Sequence, residues 1–214
     1  MKTLSTRGIA PTVAISQAIA AGLAPDGGLY MPEHWPTLQP ADFDGDTTLA
    51  HVARRMLTPF FADDPIGEQL ATICDDAFAV EPPLRAFGAD GDFLLELFHG
   101  PTAAFKDYGA AFLAGCLGAL PQGETPLTIV VATSGDTGAA VAAAFHRKPG
   151  FRVTILYPDG RVSPRQAHQL GCFGDNVRAF RVDGSFDDCQ RLVKSVLSDP
   201  DFRAEVPLGS ANSI

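Results

Sequence analysis

The stretch that decides the fold is "LTIVVATSGDTGAAVAAAF", residues 127–145. It opens on a continuous run rich in β-branched residues, which is typical of a strand buried on both faces of a parallel sheet. Residues 139–145 are small and apolar and predict a helix. Between the two lies "SGDTG", residues 134–138. The stretch therefore predicts a strand, a tight turn and a helix in succession.

The same alternation continues toward the end of the chain. Residues 152–158 and 176–183 predict two further strands. One helix is predicted to begin at Ser163, and another at Ser185, which forms a capping box with Asp188. Strands that recur about every 25 residues with helices between them predict an α/β fold, with a parallel βαβ sheet and helices on both faces.

The region before residue 127 has a different pattern of predicted elements. "FLLEL", residues 93–97, predicts a short buried strand, and residues 106–120 predict a helix of small side chains. Residues 1–90 read as short helices joined by loops rich in Pro, Gly and Asp. We interpret them as a mainly helical N-terminal domain and residues 91–214 as an α/β region. Within that region, 91–120 carry a lysine segment and about 121–205 form a small βαβ domain.

Two amphipathic helices are predicted in this N-terminal domain. In residues 47–61, Leu49, Val52 and Met56 fall on one face of a helix. A second helix, within residues 65–78, places four apolar side chains at helical spacing. These are Ile66, Leu70, Ile73 and Cys74.

Composition excludes several classes of protein. The 214 residues are 46% hydrophobic and 19% charged, which excludes a disordered chain. A formal net charge of −9 without a basic run argues against nucleic acid and anionic membrane surfaces as partners. No apolar run reaches the roughly 20 residues of a membrane helix, and no secretory signal is evident. We predict a cytoplasmic protein.

The cysteines do not indicate a metal centre or a disulfide framework. They are scattered along the chain, with no CxxC pair and no histidine pair at ligand spacing. Buried free thiols in a reducing compartment are the expected state. The four are Cys74, Cys116, Cys172 and Cys189.

Lys106 is a candidate for covalent chemistry. It stands in "AAFKDYGAAF", residues 103–112, where its neighbours are small or apolar. Desolvation favours the neutral amine, which is the form that attacks a carbonyl or accepts a proton. A Schiff-base lysine with pyridoxal 5'-phosphate is therefore one interpretation. The other is a surface lysine at a helix start, with its stem lying over the alanines. Lys106 alone does not decide between them.

The "SGDTG" turn is a candidate anion site. It precedes a helix, where free backbone N–H groups and the helix dipole favour an anion. It lacks the endings of the common nucleotide-phosphate loops, so a carboxylate or a phosphate monoester fits better. The alternative is an ordinary turn in which Ser134 or Asp136 caps the helix.

Taken together, several stretches resemble the threonine synthase family, which belongs to the fold type II pyridoxal-phosphate enzymes. Five segments match in order and spacing over nearly the whole chain. Any one of them would be a weak signal, whereas the ordered set is specific. They are "STRG" with "GLAPDGGLYMPE" near the start, "ELFHGPTAAFKD", "ATSGDTGAA", "LYPDGRVSPRQ" and the closing "SANSI".

The resemblance implies a reaction and a role for each matching residue. The family converts O-phosphohomoserine and water to threonine and phosphate by a β,γ-replacement that depends on pyridoxal 5'-phosphate. Lys106 matches the lysine that binds the cofactor covalently and later moves protons among the substrate carbons. Two further parts of the family pattern match: a loop that faces the substrate, and a pair of residues that helps to hold the substrate phosphate. The loop residues are Ser134, Gly135, Asp136 and Thr137, and the pair is Asn212 and Ser213.

One part of the family pattern is missing before Ile214. The resemblance places the glycine-rich loop that binds the cofactor phosphate, and an arginine after the "NS" pair, beyond this residue. We therefore interpret the sequence as incomplete and expect this chain alone to bind the cofactor poorly and to be inactive. The partners implied are a small-molecule substrate and, for assembly, a monomer or homodimer.

Two other functions stay open at this point. One is a threonine-synthase-like phospholyase, which would share the lysine and the loop but release phosphate without forming threonine. The other is a non-catalytic binding module that ends naturally near Ile214.

Overall fold

The chain opens with a small antiparallel sheet, in a computed structural model that describes residues 1–45 and 48–211. Strands β1 (Lys2–Ser5), β2 (Val13–Ala14) and β3 (Tyr30–Pro32) are ordered β2-β1-β3. In β1 the buried side chains are Thr3 and Ser5. Because the buried positions are polar, the apolar alternation that marks a strand is absent, and the sequence did not predict this sheet.

Helices α1 (Ile15–Ala21), α2 (Leu49–Phe61) and α3 (Leu70–Ala77) complete the N-terminal region, with 3₁₀ turns at Pro40–Phe43 and Pro65–Gln69. All four side chains predicted for the second amphipathic helix are buried, which confirms that pattern. The face predicted for α2 is wrong. Met56 is 49% exposed, and the buried side instead carries Ala50, Ala53 and Phe61.

A hairpin of β4 (Leu84–Ala86) and β5 (Phe93–Leu95) follows, paired antiparallel with Leu84 opposite Leu95. The sequence predicted a buried strand at 93–97. A strand is present, but Phe93 is 61% exposed, and Leu94 and Leu95 are each 47% exposed. The apolar composition of β5 therefore does not reflect burial among the described residues.

The remaining elements form the predicted α/β fold. The parallel sheet has the order β8-β7-β6-β9. The helix start predicted at Ser163 and the capping box predicted at Ser185 are both present, and Ser163 forms a capping box as well. The elements are α4 (Lys106–Ala119), β6 (Leu127–Ala132), α5 (Asp136–Phe145), β7 (Phe151–Pro158), α6 (Pro164–Gly171), β8 (Val177–Val182), α7 (Phe186–Ser198), α8 (Pro200–Glu205) and β9 (Leu208–Ser210).

Strand β6 is buried on both faces, as its unbroken apolar run predicted. Ile129 and Val131 pack with α4, α5 and α6, whereas Val130 and Ala132 pack with α7 on the opposite face. Helix α4 also contacts the N-terminal helices, where its Cys116 joins the cluster formed by α2 and α3. Helix α4 therefore packs between two cores.

No helix among the described residues is both long and apolar enough to cross a membrane. Within the same residues, no group of three or more His, Cys, Asp or Glu side chains is arranged to hold a metal ion.

Candidate active site

The turn between β6 and α5 is held from behind by a buried threonine. The Oγ1 atom of Thr133 accepts hydrogen bonds from the N–H groups of Gly135 and Gly138, both at 2.9 Å. Thr133 is 1% exposed, and its own N–H donates to the carbonyl of Leu156 in β7. The turn is therefore anchored to the sheet, and its outer side is free for other contacts.

The start of α5 is open on that outer side. Its N-cap is Gly135, at φ +145°, so the N-cap residue offers no side chain, and Thr133 takes up the N–H of Gly138 from behind. Within residues 1–45 and 48–211, the N–H groups of Asp136 and Thr137 have no hydrogen-bond acceptor. Uncapped amides at a helix start carry partial positive charge and bind anions. This geometry does not fit the ordinary capped turn that the sequence left open.

The loop that leads into α4 is held by a side chain from the first turn of the helix, although no described side chain caps the helix itself. The carboxylate of Asp107 is 7% exposed and accepts hydrogen bonds from the N–H of Thr102 at 3.0 Å and from its hydroxyl at 2.5 Å. Between the two residues, Ala103 has φ +58°, an uncommon value for a residue with a side chain. Asp107 thus folds the loop that delivers Lys106.

Lys106 is the first residue of α4 and is half-buried. Its Nζ atom lies 5.0 Å from the centroid of the Phe105 ring, within the range of a cation–π contact. The Phe105 side chain is 60% exposed. The amine is therefore shielded on one side by an aromatic ring and held at the end of a rigid helix.

Helix α6 connects the two helix starts. The Nε2 atom of Gln166 donates to Oδ1 of Asp136 at 3.0 Å. One turn further along, the Nε2 atom of Gln169 donates to the carbonyl of Thr102 at 3.4 Å. Residues three apart share one face of a helix, about 5–6 Å from each other. The lysine loop and the "SGDTG" turn are therefore neighbours, as the site prediction requires.

The carboxyl end of β9 reaches the same edge of the sheet. β9 runs parallel to β6, with Ser210 opposite Val130. Asn212 and Ser213, the predicted phosphate pair, lie outside the described residues. The structure therefore shows the loop before Lys106 and the "SGDTG" turn on the same helix, α6, and the roles of all these residues stay predictions.

The N-terminal "STRG" and "PDGG" segments form a separate cluster around Asp26. One carboxylate oxygen accepts from the Ser5 hydroxyl at 2.7 Å and from the Gly28 N–H at 2.9 Å, and the other accepts from the Ala10 N–H at 2.9 Å. The Ser5 hydrogen bond and these amides lower the pKa of Asp26 to about 2. These contacts explain the two segments as one folded unit.

The cysteines are not candidates for the chemistry. Burial raises the pKa of Cys116 to about 12 and that of Cys74 to about 11, so both remain protonated thiols at neutral pH. Cys189 is also buried, as predicted, whereas Cys172 is exposed, and for that residue the prediction of a buried thiol is wrong.

Three residues that shape the site were not among the sequence predictions. They are Thr133, Gln166 and, in its buried role, Asp107, which the sequence assigned only to the helix dipole. A threonine just before a glycine turn was a usable signal, because such hydroxyls accept from amides a few residues on. Gln166 meets Asp136 across 30 positions, and no local pattern could have found it.

Two protein families match this chain. The family described as "Pyridoxal-phosphate dependent enzyme" matches residues 84–210, and "Threonine synthase N terminus" matches residues 2–78. A curated threonine synthase from Escherichia coli K12 is 41% identical over 204 residues, which cover 94% of this chain and 47% of that protein.

Solved structures give the same result. The crystal structure of threonine synthase from Escherichia coli aligns with a TM-score of 0.90 and 38% identity, covering 99% of this chain and 50% of that one. The structure of pyridoxal-phosphate-bound threonine synthase from Brucella melitensis aligns at 0.87 and 40%, covering 100% and 48%. The chain spans about half the length of the relatives it matches. Its architecture is that of fold type II.

Proposed function

Since the chain belongs to the family of pyridoxal-phosphate dependent enzymes, we propose that the natural protein is a threonine synthase, which converts O-phosphohomoserine and water to threonine and phosphate. The observation that carries the proposal is the breadth of the similarity to threonine synthases, which includes residues 2–78 as well as the part that contains Lys106. A family member with another activity is expected to resemble these enzymes mainly in the second part.

The residues present fit pyridoxal 5'-phosphate by the chemistry of their donors. Lys106 offers a primary amine beside an aromatic ring, at the edge where an aldehyde could reach it. Gly135, the N-cap of the neighbouring helix, adds no side chain of its own at that helix start. When bound, the cofactor would take up electron density from the substrate carbon atoms through its pyridine ring.

We assign to Lys106 both the attachment of the cofactor and the movement of protons during the reaction. A base must lie within hydrogen-bond reach of the proton that it abstracts. Attachment through the same side chain provides this, because an amine released from the cofactor remains next to the substrate carbons. Its position on the first residue of α4 limits how far it can move away.

The start of α5 would hold the anionic end of the substrate. The free N–H groups of Asp136 and Thr137 are suited to a carboxylate, and the Thr137 hydroxyl would lie near the substrate phosphate. Ser134 is exposed and offers a further hydroxyl donor. Hydrogen bonds to a charged group contribute about 1.5–3 kcal/mol each, so two or three of them can account for substrate orientation. Asn212 and Ser213 are proposed to bind the substrate phosphate.

Other properties remain predictions. We expect the natural protein to be cytoplasmic and to act as a monomer or homodimer on this small substrate. We also expect the 214-residue chain by itself to be inactive and to bind the cofactor weakly.

Borohydride trapping of the natural protein tests the role of Lys106. Reduction in the presence of pyridoxal 5'-phosphate fixes the cofactor to the lysine that bears it, and peptide mapping identifies that lysine. The 214 residues contain four: Lys2, Lys106, Lys148 and Lys194. We expect the adduct on Lys106 and none in Lys106→Ala, with Lys148→Ala as the control that keeps it. An adduct on a different lysine contradicts the assignment.

Product analysis tests the reaction. Incubation of the natural protein with O-phosphohomoserine is expected to yield threonine and phosphate in equal amounts. Phosphate without threonine would identify a phospholyase instead. Neither product, together with no adduct on any lysine, would favour a binding module.

A further inference from the structure

We propose that Gln166 is a positioning residue for the substrate, because it holds the Asp136 carboxylate to one side of the open amides at the start of α5. The inference rests on the proposed function, in which those amides bind an anion. Gln166 itself would touch neither substrate nor cofactor. It would act through Asp136.

Both ends of the Gln166 side-chain amide are hydrogen-bonded, and its orientation follows from its partners. Its Oε1 atom accepts from the N–H of Ser163 at 3.1 Å and from the Ser163 hydroxyl at 2.9 Å. Its Nε2 atom donates to Oδ1 of Asp136 at 3.0 Å. A carboxylate can only accept, so the nitrogen must face Asp136. One end of the amide caps α6 and the other end secures the neighbouring turn.

Asp136 needs such a tether because of its position. It is the first residue of α5, next to N–H groups that attract any negative charge nearby. A carboxylate free to rotate there would spend time in front of these groups and repel an anionic substrate. The hydrogen bond to Gln166 draws it toward α6 and leaves the amides open.

The close approach of Gln166 also accounts for the glycine at position 135. A Cβ atom on Gly135 would overlap the amide nitrogen of Gln166. The "SGDTG" turn and α6 are thus fitted to each other, and the tether is part of the construction of the site.

Gln166→Glu is the variant that tests the tether. Glutamate is a common partner of serine in a capping box and is favourable in the first turn of a helix, so α6 should keep its start. The same change replaces the donor that faces Asp136 with a second carboxylate. We expect the KM for O-phosphohomoserine to rise about tenfold, the effect of losing one charge-assisted hydrogen bond, with a smaller change in kcat.

Arg165→Gln is the matched control. Arg165 is exposed and adjacent, and its replacement changes the net charge by the same single unit without touching Asp136. Its KM should equal that of the wild type. The thermal midpoint of each variant of the natural protein is measured alongside, and we expect both midpoints within a few degrees of the wild type.

A double-mutant cycle separates the tether from a purely structural role. Asp136→Asn places an amide at position 136, and this amide can donate to the carboxylate that Gln166→Glu introduces. Gln166→Glu should therefore cost little in the Asp136→Asn background. Calorimetric titration of inorganic phosphate into the same four proteins repeats the comparison without turnover, with weaker binding expected only for Gln166→Glu alone.

Three outcomes would overturn the proposal: an unchanged KM in Gln166→Glu, an equal loss in both backgrounds, or no phosphate binding to the wild type. Failure of the proposed function has a different signature. The wild type would then make no threonine, while the phosphate titrations still report whether Gln166 keeps an anion site open.

Discussion

The two helices that meet at the candidate site differ in what is anchored at their starts. Before α4, the Asp107 carboxylate turns back and accepts from the N–H and hydroxyl of Thr102, so it holds the loop that leads into the helix. At α5, Thr133 lies behind the turn and accepts from the N–H groups of Gly135 and Gly138. Among the described residues, neither helix has a side-chain cap on its N-cap residue, and at α5 the N–H groups of Asp136 and Thr137 stay open on the outer side.

The two starts serve different purposes. Asp107 fixes the loop before α4 and thereby the backbone that carries Lys106. The open start presents backbone amides, which serve a ligand only if no local group occupies them. The comparison predicts that substitution of Asp107 acts mainly on stability, and that substitutions in the turn before α5 act on binding as well.

Gly135→Ala should have the largest effect, because it damages both geometry and space. The backbone at φ +145° strains any residue with a Cβ, and that Cβ would overlap the Gln166 amide. We expect a loss of about 2–4 kcal/mol in the free energy of unfolding and a more than tenfold loss of activity in the natural protein. Urea denaturation measures the free energy of unfolding, and the rate of phosphate release measures the activity.

Gly160→Ala is the control for that variant. Gly160 also has a positive φ, +66°, but no atom lies within 4 Å of the added Cβ. It should lose only about 1 kcal/mol and keep its activity. Equal losses in the two variants would show that crowding against Gln166 is unimportant.

Asp107→Ala should come next. It leaves the N–H and hydroxyl of Thr102 without their acceptor in a buried loop, at a cost of about 2–3 kcal/mol. Asp187→Ala removes an exposed first-turn carboxylate from α7 and should cost only a few tenths of a kcal/mol. If Asp107→Ala and Asp187→Ala lose the same free energy of unfolding in urea denaturation, the contacts of Asp107 with Thr102 do not stabilise the loop before α4.

Thr133→Val tests the support behind the open start. Valine has nearly the same shape but cannot accept hydrogen bonds from Gly135 and Gly138, so we expect a loss of about 1–3 kcal/mol. Ser134→Ala should leave the free energy of unfolding almost unchanged, since Ser134 is exposed. A larger loss from Ser134→Ala than from Thr133→Val would reverse the roles assigned to the two hydroxyls.

The sequence predicted those parts of the fold that obey local periodicity. The parallel strands, α4, the helix start at Ser163 and the capping box at Ser185 follow from apolar runs and short-range hydrogen bonds, and all are confirmed. The antiparallel sheet was missed because β1 buries Thr3 and Ser5. The apolar strand β5 was wrongly predicted to be buried, since composition does not reveal which elements cover a strand.

For the site, the sequence proposed Lys106 and the turn, and the structure shows that α6 contacts both the turn and the loop before Lys106. It could not predict how they are held. The contacts of Gln166 and Gln169 with the two loops span 30 and 67 positions, and such contacts exist only once α6 has packed. The open state of α5 was equally hidden, because "SGDTG" also fits a turn capped by Ser134 or Asp136.

Asp26, like Asp107, anchors a turn through its carboxylate. Its substitution has the smallest expected effect, and it extends the comparison to acidic pH. Its pKa of about 2 in the folded protein lies below the ordinary value of 3.8, so the folded state binds a proton less readily than the unfolded chain. The contribution of Asp26 to stability is therefore present above about pH 4 and is lost as the pH falls through 2. Asp26→Asn should flatten the thermal midpoint over that interval, whereas Asp90→Asn, at an exposed residue of the hairpin loop, should keep the wild-type slope. If the thermal midpoints of Asp26→Asn and wild type fall in parallel with pH, the contacts with Ser5, Ala10 and Gly28 do not favour the ionised carboxylate over the neutral one. The charge of Asp26 then does not stabilise this turn.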